Sequence, residues 1–237
     1  MTNQPHDPLW VDLVFTIHGT TVPADHGYPL FSAISMVLPT AHATPDGQDG
    51  FSILPINGRL TGDRRLSLTP DSRLVLRVRR DHVPVFLVLA GKTLPLPGGP
   101  IAVGVPRVSL LEPSSSLLSR LVTIKVRDMR ESAPGYAEAF LAAARRKVEA
   151  LDIRDPDVRL CKRDRAASFE GKQGADLTRS PWVRRTIAVR GKRIVGYAVK
   201  VTGLSPADSL KLQVEGLGGR RHFGCGVFVP VPDSDQT

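Results

Sequence analysis

The sequence predicts an α+β protein made of two tandem ferredoxin-like (RRM-like, βαββαβ) halves, and three observations predict it. Two runs of strand, helix, strand, strand, helix, strand can be read along 237 residues, a length beyond the usual single domain. Pro113-Ser-Ser-Ser116 punctuates the middle, which sets the halves at residues 1–116 and 117–237. Charge divides at nearly the same point: residues 1–118 hold 9 Lys or Arg and 9 Asp or Glu, and residues 119–237 hold 23 and 14, so the whole formal excess of +9 belongs to the second half.

Residues 10–18 alternate apolar and polar side chains as a half-buried strand does. Gly19 to Gly27 carries the chain over to a helix at 28–38, where Pro29 suits the first turn and Leu30, Ile34, Val37 and Leu38 share a face. Residues 51–56, 73–79 and 100–111 supply strands, and the apolar stretch 83–90 makes a short helix before the turn Gly91-Lys92. In the second half 117–126 is a strand rich in branched residues, and the alanine-rich stretch 134–151 is the strongest helix of the chain. Residues 152–181, polar and charged, form a long loop with room for one extra strand. Segments 182–190 and 193–202 alternate around Gly191-Lys192, a hairpin turn. Ser205 at a cap and Pro206 in the first turn open a helix through Glu215, and 224–230 closes the fold as a strand.

Between that last helix and strand lies Gly216-Leu-Gly-Gly-Arg-Arg-His-Phe-Gly-Cys-Gly226, with five glycines in eleven residues. Glycine lets a phosphate or sugar approach the main chain closely, and adjacent arginines supply forks that fit phosphate oxygens. The order helix, loop, strand is the reverse of the P-loop and the dinucleotide fingerprint, and neither pattern is completed. A glycine turn that only ends a helix is the alternative reading.

A charge excess confined to one half points to a polyanion partner, RNA, DNA or an anionic membrane. Membrane is the weakest of these, because the longest apolar run, 83–90, is broken by Pro84 and far too short to span. The first eight residues lack the basic and apolar regions of a secretion signal, and Cys161 and Cys225 are far apart with no histidine at ligand spacing. A cytoplasmic protein with no disulfide framework, no zinc site and no cofactor is expected. Sparse aromatics, 5% of residues, disfavour a reader built on stacked bases.

The tandem order, the 216–226 loop and a histidine, His26, at the entry of the first long helix together resemble the CRISPR-associated endoribonucleases of the repeat-associated mysterious protein (RAMP) superfamily. The phrases Pro23-Ala-Asp-His-Gly27, Leu121-Val-Thr-Ile-Lys125 and Gly216-Leu-Gly-Gly-Arg-Arg221 are similar to the subtype first described from Myxococcus. The likeness spans nearly the whole chain. It implies a metal-independent endoribonuclease that cuts precursor CRISPR RNA within its repeats: the ribose 2′-hydroxyl attacks the phosphate, leaving a 2′,3′-cyclic phosphate and a 5′-hydroxyl. Repeat RNA is the implied partner, with other CRISPR-associated subunits as further candidates. A non-catalytic RNA-binding subunit of the same fold is the alternative.

Such chemistry needs a base, an acid and positive charge at the phosphorane. His26 is the first candidate, since histidine titrates near neutrality and a helix entry welcomes phosphate. His42, after the same helix, is second, and Tyr28 and Ser32 sit near His26 as possible helpers. Lys92, Lys125 and Arg221 are candidates for charge stabilisation. Arg184, Arg185, Lys192, Arg193, Gly218, Gly219, Arg220, Arg221 and His222 are expected to track the RNA backbone along hairpin and loop, extended by Lys125, Lys162, Arg163 and Arg165.

Overall fold

In a computed structural model of the protein, residues 10–39, 51–163 and 181–231 are described. Strand β1 (Trp10–His18) buries Val11, Leu13, Phe15 and Ile17 on one face, as its alternation requires. A short β2 (Thr21–Pro23) leads to helix α1 (Gly27–Val37), which turns Leu30, Phe31, Ala33 and Ile34 inward. Strands β3 (Phe51–Leu54), β4 (Arg59–Leu60), β5 (Arg65–Ser67) and β6 (Arg73–Arg79) follow, then helix α2 (Val83–Phe86) between 3₁₀ turns, β7 (Thr93–Leu94) and β8 (Ile101–Leu110). The main sheet has the order β3-β6-β1-β8-β7 and is antiparallel throughout. One hydrophobic core, drawn from residues between Val11 and Val103, serves this half.

The second half repeats the plan with β9 (Leu117–Val122), α3 (Tyr136–Glu149), β10 (Asp157–Leu160), β11 (Arg184–Val189), β12 (Lys192–Thr202), α4 (Pro206–Glu215) and β13 (Val229–Pro230). Its sheet runs β10-β12-β9-β13, and β11 pairs with the first part of β12. Phe140, Ala144 and Val148, four residues apart, form the buried stripe of α3. The Ser205 hydroxyl accepts the Asp208 N–H at 3.1 Å and so caps α4. A separate core between Leu117 and Phe228 packs under the helices. The protein is thus a mixed α+β chain with two antiparallel sheets, each with its own core.

Two features depart from the sequence reading. A third, small sheet of β2, β5 and β4, with runs of two and three residues, carries too little periodicity to announce itself. The closing strand is also shorter than expected. Only Val229 and Pro230 form a ladder with β9; before them Gly226 sits between β9 and the start of the glycine-rich loop, donating its N–H to Leu121 at 2.7 Å and accepting that of Leu217 at 2.9 Å. Gly226 stands at φ 67°, and a Cβ there would lie 2.0 Å from the Leu217 oxygen, so only glycine allows the weave.

The halves are joined through Arg77, 1% exposed in the middle of β6. Its fork takes both carboxylate oxygens of Asp12 on neighbouring β1, at 2.8 and 3.0 Å, and its remaining Nη1 donates to the carbonyls of Gln213 and Phe228 in the second half, both at 2.9 Å. Removing one member of a buried pair strands the other charge. Arg77→Ala is therefore expected to lower unfolding free energy by about 3–5 kcal/mol, measured by urea denaturation.

Candidate functional site

A cavity of about 680 Å³ opens where the two halves meet. The first half contributes the turn before α1, the end of β3 and the β4–β5 loop; the second contributes β9, β11 and the end of the 221–223 turn. Four arginines stand in its walls: Arg64 from the first half and Arg120, Arg184 and Arg185 from the second. Arg120 is half-buried, and its pKa is lowered by desolvation and then by the neighbouring charge of Arg185. Among the described residues neither Arg120 nor Arg185 has a carboxylate within ion-pair distance, whereas Arg184 reaches Glu131 only at 3.9 Å. Asp25 is the acidic residue in the wall; it accepts the Ala188 N–H through Oδ2 at 2.7 Å and so fastens β11 to the first half.

His26, beside Asp25, is not the accessible imidazole that the sequence suggested. It is 4% exposed, and both ring nitrogens are engaged: Nδ1–H donates to the Pro23 carbonyl and Nε2 accepts the Ile56 N–H, each at 2.9 Å. That pattern fixes the neutral Nδ1–H tautomer. Burial, followed by the charge of Arg120, lowers its pKa from 6.5 to about 4 against the opposing Pro23 hydrogen bond. So held, the ring pins the turn before α1 to the backbone after β3, and in this arrangement neither nitrogen is free for a substrate. His42 lies outside the described residues. Tyr28, half-buried, packs edge-on to Phe223 at 5.5 Å, and Ser32, one turn on, is exposed.

The glycine-rich loop is also used differently from the expectation. Its middle docks on α1 and β3: His222 and Phe223 pack on Phe31 with ring centroids 4.8 and 5.2 Å away, and a Cβ on Gly27 would meet the Phe223 oxygen at 2.2 Å. Arg221 turns back to donate to the Val214 carbonyl at 2.7 Å near the end of α4. Gly218 bridges to Thr123 within the second half, so it is His222 and Phe223 that hold the halves together, and of the loop only Gly219 and Arg220 are exposed.

With the halves joined over a cationic cleft, the relatives of the chain become informative. A family model described as Cas6 Crispr matches residues 11–233. The chain belongs to the Cas6 family. It is 35% identical over 222 residues to the CRISPR-associated endonuclease Cas6 of Myxococcus xanthus, covering 94% of this chain and 82% of that protein. The fold is shared with a RAMP protein described as binding different RNA substrates, at a TM-score of 0.59 and 11% identity over 94% of this chain and 99% of that one. A Cas6-related protein from Pyrococcus furiosus gives 0.59 and 11% over 96% and 100%. Both the family and the Myxococcus likeness read from the sequence therefore hold.

On this Cas6 chain Lys125, Lys162, Arg163, Arg184, Arg185, Lys192 and Arg193 are all exposed. Arg184 and Arg185 enter the cleft, and Lys192 and Arg193 sit at the far turn of the β11–β12 hairpin. Arg165 lies outside the described residues. Lys92 is exposed beside β7. Asp25, Arg64 and Arg120 went unnoticed in the sequence. The signal for Arg120 was present, a cation in the middle of a strand that is apolar but for Ser119; Arg64 in a polar loop offered none. Among the described residues no helix is long and apolar enough to cross a membrane.

The unfolded histidine takes its proton near pH 6.5 and the folded His26 only near 4, so between those values the unfolded chain binds more protons and acid destabilises the fold. His26→Gln is expected to remove a pH slope of about 1.4 kcal/mol per unit over that window, read from urea midpoints of variant and wild type side by side.

Proposed function

We propose that this Cas6 family member is a metal-independent endoribonuclease that cuts precursor CRISPR RNA within its repeats. The observation that carries the reading is the arginine-lined cleft at the joint of the halves, in a chain 35% identical to a CRISPR-associated endonuclease. The two halves, residues 1–116 and 117–237, are taken as ferredoxin-like domains; the edge order of second, third, first and fourth strand in each sheet supports this. The protein works in the cytoplasm, where its RNA is made, with CRISPR repeat RNA and other CRISPR-associated subunits as partners.

The nucleophile is the substrate's own 2′-hydroxyl. A base takes its proton, the oxygen attacks phosphorus, and positive charge from the protein stabilises the phosphorane. An acid then protonates the departing 5′-oxygen, leaving a 2′,3′-cyclic phosphate and a 5′-hydroxyl. An internal nucleophile needs no metal-activated water. With His26 neutral and tied at both nitrogens, His42 takes the proton-transfer role, assisted from α1 by Tyr28 and Ser32. The product stays bound through the basic hairpin and cleft.

The engagement of His26 also favours a second reading, a non-catalytic RNA-binding subunit. One assay separates them. In EDTA the wild-type protein is expected to cut repeat RNA and to leave RNA with a 2′-deoxy at the scissile position intact, and His42→Ala to lower kcat by about 10²–10⁴-fold. Cutting unaffected by His42→Ala overturns the assignment of that residue; tight binding with no cutting by the wild type establishes the second reading.

A further inference from the structure

The walls of the inter-half cleft differ in charge from point to point, and the difference describes a ligand. Arg120 and Arg185 line the same cavity, and the charge of Arg185 acts on Arg120, with no carboxylate of the described residues within ion-pair distance of either. Two guanidiniums in one cleft wall, one half-buried and one exposed, suit an anion between or beside them. Arg64 adds a third fork from the first half, near Asp25, on which its charge also acts. In the wall of the same cleft Asp25 uses one carboxylate oxygen on Ala188, while its other, Oδ1, is buried and meets no hydrogen-bond donor among the described residues. A buried acceptor left unpaired is costly, and such a group in a folded protein points to a donor that arrives with a ligand or water.

A simple anion meets the arginines and leaves Asp25 unserved, and repels it. A ligand that carries negative charge on one side and N–H or O–H donors on the other meets both. We propose that the cleft is a seat for an unpaired nucleotide of the RNA, with its flanking phosphates on Arg64, Arg120 and Arg185 and its donor edge turned toward Asp25.

This deepens the proposed RNA-processing reading and rests on it, since the nucleotide belongs to the repeat RNA. Size agrees: about 680 Å³ lies within the roughly 300–1,000 Å³ typical of pockets for small ligands, room for an unpaired nucleotide but not for a paired stem. The seat works through charge and hydrogen bonding, so it makes no demand on stacking, and the scarcity of aromatic residues is no obstacle. The donor can be a base amine or the ribose 2′-hydroxyl. Asp25 also anchors β11 through Ala188, so the residue that reads the donor also sets the strand bearing Arg185.

The test measures binding of oligouridylate carrying a single guanosine, cytidine or adenosine, and of a blunt RNA stem, over a series of salt concentrations in EDTA. For the wild type, an unpaired strand should bind with a steep salt slope. Arg64→Ala with Arg120→Ala should weaken it at least tenfold and flatten the slope by about 1.4, the loss of two phosphate contacts on a single strand, while stem binding changes little. Arg120→Lys, which restores the charge, should recover most of the slope, and matched thermal unfolding shows that the variants fold. Asp25→Asn keeps an acceptor for Ala188 but replaces Oδ1 with a donor, and should abolish or reverse the preference for an amino-bearing base over uridine. If the ribose is the donor, the wild type instead loses affinity for the matching deoxyribose strand and Asp25→Asn does not. Unchanged unpaired-strand affinity and slope in the double arginine variant overturn the inference, and Asp25→Asn indistinguishable from wild type in every arm removes Asp25 from it. A wild-type protein that binds neither strand nor stem overturns the proposed function itself, and so the two failures are told apart.

Discussion

Arg77 brings a charge into the interior at the place where both halves meet, and two of its side-chain hydrogen bonds cross the joint. Asp12 neutralises it within the first sheet, and the carbonyls of Gln213 and Phe228 accept its remaining Nη1 hydrogens from the second half. A bidentate guanidinium tolerates few displacements, so it sets the distance and angle between two sheets that otherwise have separate cores. The cleft exists because that spacing is held. Were the sheets to slide, Arg64 and Arg120, which come from opposite halves, would no longer face a common space.

A second set of contacts braces the joint from the other side of the chain. Phe31 meets His222 and Phe223 of the glycine-rich loop, and Asp25 holds β11. His26 belongs to this brace. Its two nitrogens link the turn before α1 to the backbone after β3, which keeps Asp25 and Gly27 in the wall of the cleft. A histidine at a helix entry and a loop crowded with glycine and arginine both suggest chemistry when seen as sequence. Here the histidine ties two segments of the first half together, and the loop packs His222 and Phe223 across the seam.

Much of the architecture was readable before any coordinates. The alternation in residues 10–18 and 73–79, the alanine-rich α3 and the Ser205-Pro206 start of α4 each encode their element locally, and the structure places them within a residue or two of the reading. The small β2–β5–β4 sheet was not legible, because runs this short are fixed by their neighbours and not by their own periodicity. The site was legible in part. Exposed arginines on β11 follow from charge and hairpin pattern, whereas the burial of His26 depends on a backbone amide thirty residues away, and the cleft role of Arg64 on a loop from the other half. Local sequence carries no record of either.

The close fit of Gly27 beneath the Phe223 carbonyl has a practical consequence for anyone who wishes to exchange substrate preference between relatives of this protein. Grafting the glycine-rich segment alone would transplant a hinge cut for a different partner helix, and the recipient would lose its seam before it gained any new recognition. The β11–β12 hairpin would travel no more freely, since Ala188 beside its turn is held by Asp25 of the first half and β12 is also paired with β9 and β10.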